Sequence, residues 1–289
     1  MYANITELIE QAKKVGSVAE VAIQTEIEVT GRSREDIIEL MERNLQTMKD
    51  SIASGLKGKK SLTGLTGGDA LKLDNYIKSG KSISGAGIMT AVRNALAVNE
   101  VNAQMGLICA TPTAGSAGTL PGVLMLAIDK LGLTHEEQLN FLFTAAAFGL
   151  GIANNATIAG AEGGCQAEVG SASAMASAAL VTAAGGSPEQ AEQAICLVLQ
   201  NMLGLVCDPV AGLVEVPCVH RNALGSSQAL VSADMALAGI STIFNADEVV
   251  SVMYKVGKNL PAIYRETADG GLAQTPTGRA VMEKIYGGK

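Results

Sequence analysis

The chain has 289 residues, enough for one large domain or two small ones, and 48% of them are apolar, which excludes a disordered chain. Its net charge of −7 argues against nucleic acid, whose binders carry basic patches, yet a small anion can still meet a locally positive site. Only 3% of residues are aromatic and Trp is absent, so the core must be built from Ala, Leu, Ile, Val and Met. The five cysteines, at 109, 165, 196, 207 and 218, are odd in number, and Met1 to Lys14 has no signal-peptide character. Both points argue against a secreted disulfide framework. No apolar run of about 18 residues escapes Gly or polar interruption, so no membrane span is expected. The expectation is a soluble, cytoplasmic protein.

Residues 1 to 56 read as a helical preface. Leu8, Ile9, Ala12 and Val15 recur at helical spacing. Ser33-Arg34-Glu35-Asp36 resembles a capping start, with Asp where Glu or Gln is usual. It leads into an amphipathic stripe, from Ile37 through Leu45 to Met48, on a helix running to about Ala53. From 55 to 87 the pattern breaks, and eight glycines punctuate a loop carrying Lys57, Lys59 and Lys60. Thr63 to Asp69 has the composition to present amides to an anion. Gly80-Lys81-Ser82 looks like the end of a nucleotide-binding loop, but Asn75 stands where that loop needs glycine. Gly85-Ala86-Gly87 lacks its third glycine too, because position 90 is Thr, and nucleotide binding is set aside.

A long helix is expected from Ser84 to Met105. The run Ala110 to Gly122 then supplies three glycines and four hydroxyl residues ahead of an apolar helix from Val123 to Leu131. Free amides at a helix start, backed by hydroxyls, attract a carboxylate or phosphate; a tight turn between helices fits the same residues equally well. Thr134-His135-Glu136-Glu137 is a capping box for a helix to about Leu150, with His135 facing solvent. Ser187-Pro188-Glu189-Gln190 starts another that ends near Gly204. Cys196 lies among apolar residues at helical spacing and reads as core, as does Cys109 after Leu107-Ile108. Residues 226 to 256 read as two more helices, and a last one begins at Thr277. No sustained alternation argues for a sheet. The fold class expected is all-α, one helical catalytic domain with glycine-rich loops.

The remaining cysteines each sit beside turn formers, in Gly163-Gly164-Cys165, Cys207-Asp208-Pro209 and Pro217-Cys218. Such settings expose a side chain and turn backbone amides toward whatever the sulfur holds. Zinc sites and compact ferredoxin runs take cysteines in close pairs, and the gaps here are far longer. Two readings stay open on spacing alone: ligands of a metal cluster gathered by folding, each on its own turn, or separate buried cysteines.

The longer motifs carry a resemblance. Glu100-Val101-Asn102-Ala103, the Pro112 to Gly118 loop, Gly160 to Gly170, and Cys207-Asp208-Pro209-Val210 through Cys218-Val219-His220-Arg221-Asn222 resemble the iron-sulfur-dependent L-serine dehydratases, specifically the alpha chain of the two-subunit bacterial type. The resemblance covers nearly the whole chain. It implies a helical catalytic domain, a [4Fe-4S] cluster on Cys165, Cys207 and Cys218, and elimination of water from L-serine to give pyruvate and ammonia; no lysine stands in a Schiff-base motif, so no pyridoxal phosphate is expected. Single-chain members carry an additional domain that helps close the site. This chain begins almost directly at the catalytic part, so a separate beta chain is implied. Some single-chain members also use a C-terminal cysteine as a fourth cluster ligand, and this chain ends Gly287-Gly288-Lys289 without one.

The resemblance also frames the site. The Thr111 to Gly118 loop, with Thr113, Gly115 and Ser116, is expected to bind the substrate carboxylate, helped by the stretch from Lys60 to Asp69. His220 is a candidate base, or a donor that orients a sulfur. Glu162 and Glu168 flank Cys165 as candidates for the substrate ammonium. Two rivals follow: a related cluster-dependent cysteine desulfidase, and a cluster-free helical scaffold.

Overall fold

The structure, a computed structural model, describes residues 1–287; Gly288 and Lys289, and with them the expectation about the last residues of the chain, lie outside it. Thirteen α-helices make up the described chain: α1 (Ile5–Val15), α2 (Val18–Thr30), α3 (Arg34–Gly55), α4 (Asp69–Lys78), α5 (Ala86–Ala103), α6 (Thr119–Leu131), α7 (His135–Asn155), α8 (Gly160–Gly163), α9 (Cys165–Ala183), α10 (Pro188–Met202), α11 (Cys218–Leu237), α12 (Ala246–Asn259) and α13 (Pro276–Tyr286). No strand forms among the described residues, and one isolated parallel bridge joins Cys207 to Arg265. The all-α expectation holds. None of these helices is long and apolar enough to cross a membrane.

Local chemistry sets most helix starts. The hydroxyls of Ser17 and Ser33 accept the N–H groups of Glu20 and Asp36, and Asn4 does the same for Glu7. Full capping boxes open α7 at Thr134, α10 at Ser187 and α12 at Asn245. Each satisfies two backbone donors that the first helical turn leaves without a partner.

Four boundaries differ from the sequence-based expectation. The first 56 residues form three helices, and α1 to α3 contribute to the same apolar clusters as the rest of the chain. The glycine-rich stretch contains a helix, α4, whose start is made by a partner distant in sequence. The helix expected from Val123 begins at Thr119, because Pro121 falls in its first turn, where its missing N–H costs nothing. The helix expected from 226 begins at Cys218.

The centre of the molecule is α9. Every residue from Cys165 to Ala179 is buried. Its sequence is Ala, Ser and Gly with little charge, apolar on all sides, which is the mark of an interior helix. Helices α6, α7, α10 and α11 pack around it. Small residues let backbones approach closely: a Cβ at Gly225 of α11 would lie 2.7 Å from Thr119 Oγ1 and 2.8 Å from a Val169 methyl. Aliphatic side chains such as Ile152, Ile195 and Leu199, with Phe148, fill the remainder at 1% exposure or less. The amino end of this buried helix is where the cysteine motifs meet.

Candidate functional site

Cys165 is the first residue of α9 and Cys218 the first of α11, and neither helix has a side-chain cap. The positive end of the helix dipole favours negative charge, so two of the three cysteines stand where a thiolate is stabilised, although the Gln166 and Val219 N–H groups already donate to the Leu205 and Glu215 carbonyls. Cys207 arrives on an extended segment. Its N–H donates to the Tyr264 carbonyl at 2.8 Å, and its carbonyl accepts the Glu266 N–H at 2.8 Å. Against expectation none of the three is exposed: Cys165, Cys207 and Cys218 are all buried. The flanking Gly and Pro residues end one element and begin another without turning the sulfurs outward. Cys196 is buried in the core as expected, and burial pushes its thiol up to about 12. Cys109 is only partly buried and packs at the edge of an apolar cluster.

Two of the sulfurs, those of Cys165 and Cys207, lie together with Glu168, and Cys218 is near enough to feel the charge on Cys165. The donor atoms of Cys165, Cys207 and Glu168 all lie within 4.8 Å of each other. Cys165 ionises most readily of the three, because the Cys207 thiol donates to it and the Arg221 guanidinium lies against it, together outweighing burial. Cys207 is held protonated by its bond to Cys165 and by burial. Burial, then the charge on Cys165 and on Glu168, holds Cys218 protonated. A single charge among three buried sulfurs therefore suppresses the next, which is the expected behaviour of a ligand set that loses its protons when it takes a cation.

Arg221 is the cation of the site. Nη1 lies 3.3 Å from Cys165 Sγ and donates to the Val206 carbonyl at 2.7 Å, and Nη2 donates to Asp208 Oδ1 at 2.7 Å. Asp208 Oδ2 in turn accepts the Leu272 N–H at 2.7 Å. Burial opposes the guanidinium charge, but Cys165 and Asp208 prevail and hold it firmly protonated. One turn of α11 thus carries Cys218 and Arg221 into the site together. His220, two residues after Cys218, is exposed, and its Nε2 lies 3.5 Å from Asp69 Oδ2.

Glu168, one turn into α9, is buried at 8% exposure, and burial raises its carboxyl above the ordinary range. Its Oε1 accepts the Thr113 hydroxyl. Room for that carboxylate comes from Gly115, where a Cβ would stand 2.5 Å from Oε1, and from Gly160, where one would stand 3.0 Å from Oε2. Glu162 lies on short α8 and is exposed, so the two glutamates that flank Cys165 in sequence part company in space.

The Thr111 to Gly118 loop folds over α9 and is tied down from behind. Asn222 Oδ1 accepts the N–H groups of Gly118 and Thr119 at 3.0 and 3.1 Å, and its Nδ2 donates to the Gly115 carbonyl at 2.7 Å. Asn99 donates to that same carbonyl at 2.9 Å. The amides expected to be free at the start of α6 are therefore occupied by Asn222. Ser116 is sealed inside the loop at 0% exposure, its hydroxyl donating to the Thr111 carbonyl at 3.2 Å. Thr111 is buried too, and Thr113, half-buried, is the loop hydroxyl that reaches Glu168. Among the described residues, the N–H groups of Ala114 and Gly115 find no hydrogen-bond acceptor.

The glycine loop from Ser61 to Asp69 packs beside the site. Glu215, close before Cys218, accepts the hydroxyls of Thr63 and Thr66, each at 2.8 Å. Glu100, fully buried, accepts the N–H groups of Gly68, Asp69 and Ala70 at 3.0, 2.6 and 3.2 Å and so creates the start of α4. Lys60 stays exposed at the loop edge. Asp69, held below its ordinary value first by Lys72 and also by His220, joins this loop to α11.

A family described as serine dehydratase alpha chain matches residues 13–273 of this sequence. The chain belongs to that family. A Bacillus subtilis (strain 168) protein named probable L-serine dehydratase, alpha chain, is 58% identical over 289 residues, covering 100% of this chain and 96% of that protein. The L-serine dehydratase, alpha chain, of Peptoniphilus asaccharolyticus is 41% identical over 277 residues, 95% of each chain. L-serine dehydratase 1 of Escherichia coli K12 is 37% identical over 280 residues, 94% of this chain but 61% of that protein.

Sequence reasoning found the three cysteines, Glu168, Thr113 and Gly115, which the fold brings together. It gave no role to Arg221 or Asn222, although both lie inside a quoted motif. Only the spacing of Arg221, three residues beyond Cys218 on what proves to be one helix face, held a usable signal.

Proposed function

We propose that the chain is the catalytic subunit of an L-serine dehydratase, converting L-serine to pyruvate and ammonia with a [4Fe-4S] cluster and a beta chain. One observation carries this: three buried cysteines, two of them heading helices without a side-chain cap, gather beside the buried Arg221 guanidinium. The names of the relatives support the substrate and the partner. Cys165, Cys207 and Cys218 would hold the cluster, and their chemistry fits: three buried thiols, with the Arg221 guanidinium against Cys165 to offset thiolate charge. Bound there, the cluster would supply a Lewis-acidic iron to help the hydroxyl depart.

The chain's own residues do the remainder. The Ala114 and Gly115 amides and the Thr113 hydroxyl receive the substrate carboxylate, and Glu168 receives its ammonium. His220, steadied by Asp69, is the candidate to take the Cα proton. Because His220 is exposed, its enclosure falls to the beta chain in this reading. The fact that the longer E. coli protein is matched over only part of its length supports such a division of labour. Lys60 at the loop edge adds positive charge for an incoming anion. The complex is assigned to the cytoplasm.

The test is anaerobic co-purification with the beta chain, followed by iron, sulfide and pyruvate assays. About four irons per alpha chain and pyruvate from L-serine are expected. Pyruvate without iron would overturn the cluster, and sulfide release from L-cysteine in place of pyruvate from L-serine would favour the desulfidase. Activity should decay in air and return with iron and a reductant. Turnover of His220→Ala close to wild type would remove His220 as the base.

A further inference from the structure

We propose that Glu266 is a specificity residue of this site: with Glu168 it binds the ammonium group of the amino-acid substrate, a role that rests on the dehydratase reading above. The two carboxylates come from stretches far apart in sequence, Glu168 from buried α9 and Glu266 from the segment between α12 and α13. They meet over Gly160. A Cβ there would lie 3.0 Å from Glu168 Oε2, 3.4 Å from Glu266 Oε2 and 3.2 Å from Cys207 Sγ, so both oxygens and the sulfur surround one point.

Neither of those oxygens is committed elsewhere. Glu168 is 8% exposed and uses only Oε1, for Thr113; its Oε2 takes no hydrogen bond among the described residues. The Glu266 carboxylate takes no hydrogen bond and no ion pair among the described residues. Arg221, the nearby cation, is occupied by Cys165, Val206 and Asp208. Two carboxylates facing one space repel, and a group that brings several N–H donors and a positive charge relieves that repulsion. A primary ammonium has this form. A substrate held there lies beside Cys207 and within reach of the loop that offers Ala114 and Gly115 amides, so carboxylate and ammonium are read on separate sides.

The backbone at Glu266 is consistent with a placed side chain. Its φ is +65°, the left-handed region that glutamate seldom enters, and its N–H is fixed to the Cys207 carbonyl at 2.8 Å. The carboxylate is therefore anchored through its main chain to the segment that carries one of the sulfurs.

Two non-reacting ligands test the assignment on the cluster-loaded alpha–beta complex. L-Alanine keeps the carboxylate and the ammonium; L-lactate replaces the ammonium by a hydroxyl. Calorimetry is expected to show L-alanine binding the wild type more tightly than L-lactate. In Glu266→Gln, the dissociation constant for L-alanine should rise about tenfold while that for L-lactate stays within about twofold. Glu266→Gly, which suits the backbone conformation, should behave alike, and iron per chain should match wild type in both. An unchanged alanine-to-lactate ratio overturns the proposal, as does a loss of bound iron that accounts for the weaker binding. The dehydratase reading fails separately, on wild-type complex that forms no pyruvate from L-serine.

Discussion

At the amino end of α4, three backbone N–H groups donate to the buried carboxylate of Glu100; at the amino ends of α9 and α11 no side chain caps the helix, and a cysteine stands first. All three starts lie near the site. The first carries its own anion and is closed to any other. The other two leave their positive ends directed at sulfur. The start of α6 lies between these cases, its amides held by the neutral oxygen of Asn222. The contrast separates scaffold from chemistry: an anion-binding helix start is a site only where the chain has not supplied the anion itself.

The contrast breaks if the two kinds of start respond alike to mutation. Cys165→Ser has the largest expected effect. It should strip the complex of iron and lower turnover by at least about a thousandfold, the several kcal/mol that a Lewis acid is worth, while the cluster-free chain still folds. Normal iron content in that variant would refute the ligand assignment. Glu100→Ala should do the reverse. It leaves three buried donors without their carboxylate and should cost about 3 kcal/mol in urea unfolding, with folded protein still loading iron. A midpoint equal to wild type would mean that α4 does not need its cap.

Asn222→Ala sharpens the intermediate case. Freeing the Gly118 and Thr119 amides and leaving the Gly115 carbonyl to Asn99 alone should cost about 2 kcal/mol and raise KM for L-serine, because the loop that reaches Glu168 is held less firmly. A stability loss with KM unmoved would assign Asn222 to folding alone. Arg34→Ala, far from any of these starts, sets the baseline. Arg34 holds the Glu20 carboxylate below its ordinary value of 4.5. A depressed folded-state pKa gives stability that is present above the unfolded value and lost as pH falls through the folded one. The pair is largely exposed, so the variant should lose only about 0.5 kcal/mol at neutral pH, fading in acid. Equal losses at pH 7 and pH 3 would contradict that linkage.

Legibility followed range. The caps at Ser33, Thr134 and Ser187 could be read because their partners lie three residues away. The three cysteines could be read because each sits in a long motif, though their burial could not. Helix α9 was invisible to periodicity, since a helix buried on all sides has no polar face to set a period. Helix α4 was hidden among glycines because its cap, Glu100, lies 31 residues from Asp69. Glu266 gave no signal at all. It is placed by pairing with Cys207, 59 residues earlier in the chain.

The sequence by itself determined the helical class, most helix starts and the three cysteines, because propensity, capping and motif identity are local properties carried by neighbouring residues. The tertiary structure decided which residues share the site. Only packing around α9 brings Glu168, Arg221 and Glu266 to the sulfurs while it sends Glu162 and His220 outward. The physical reason is that burial and charge pairing act between side chains adjacent in space, and in this chain those neighbours come from segments far apart along the backbone.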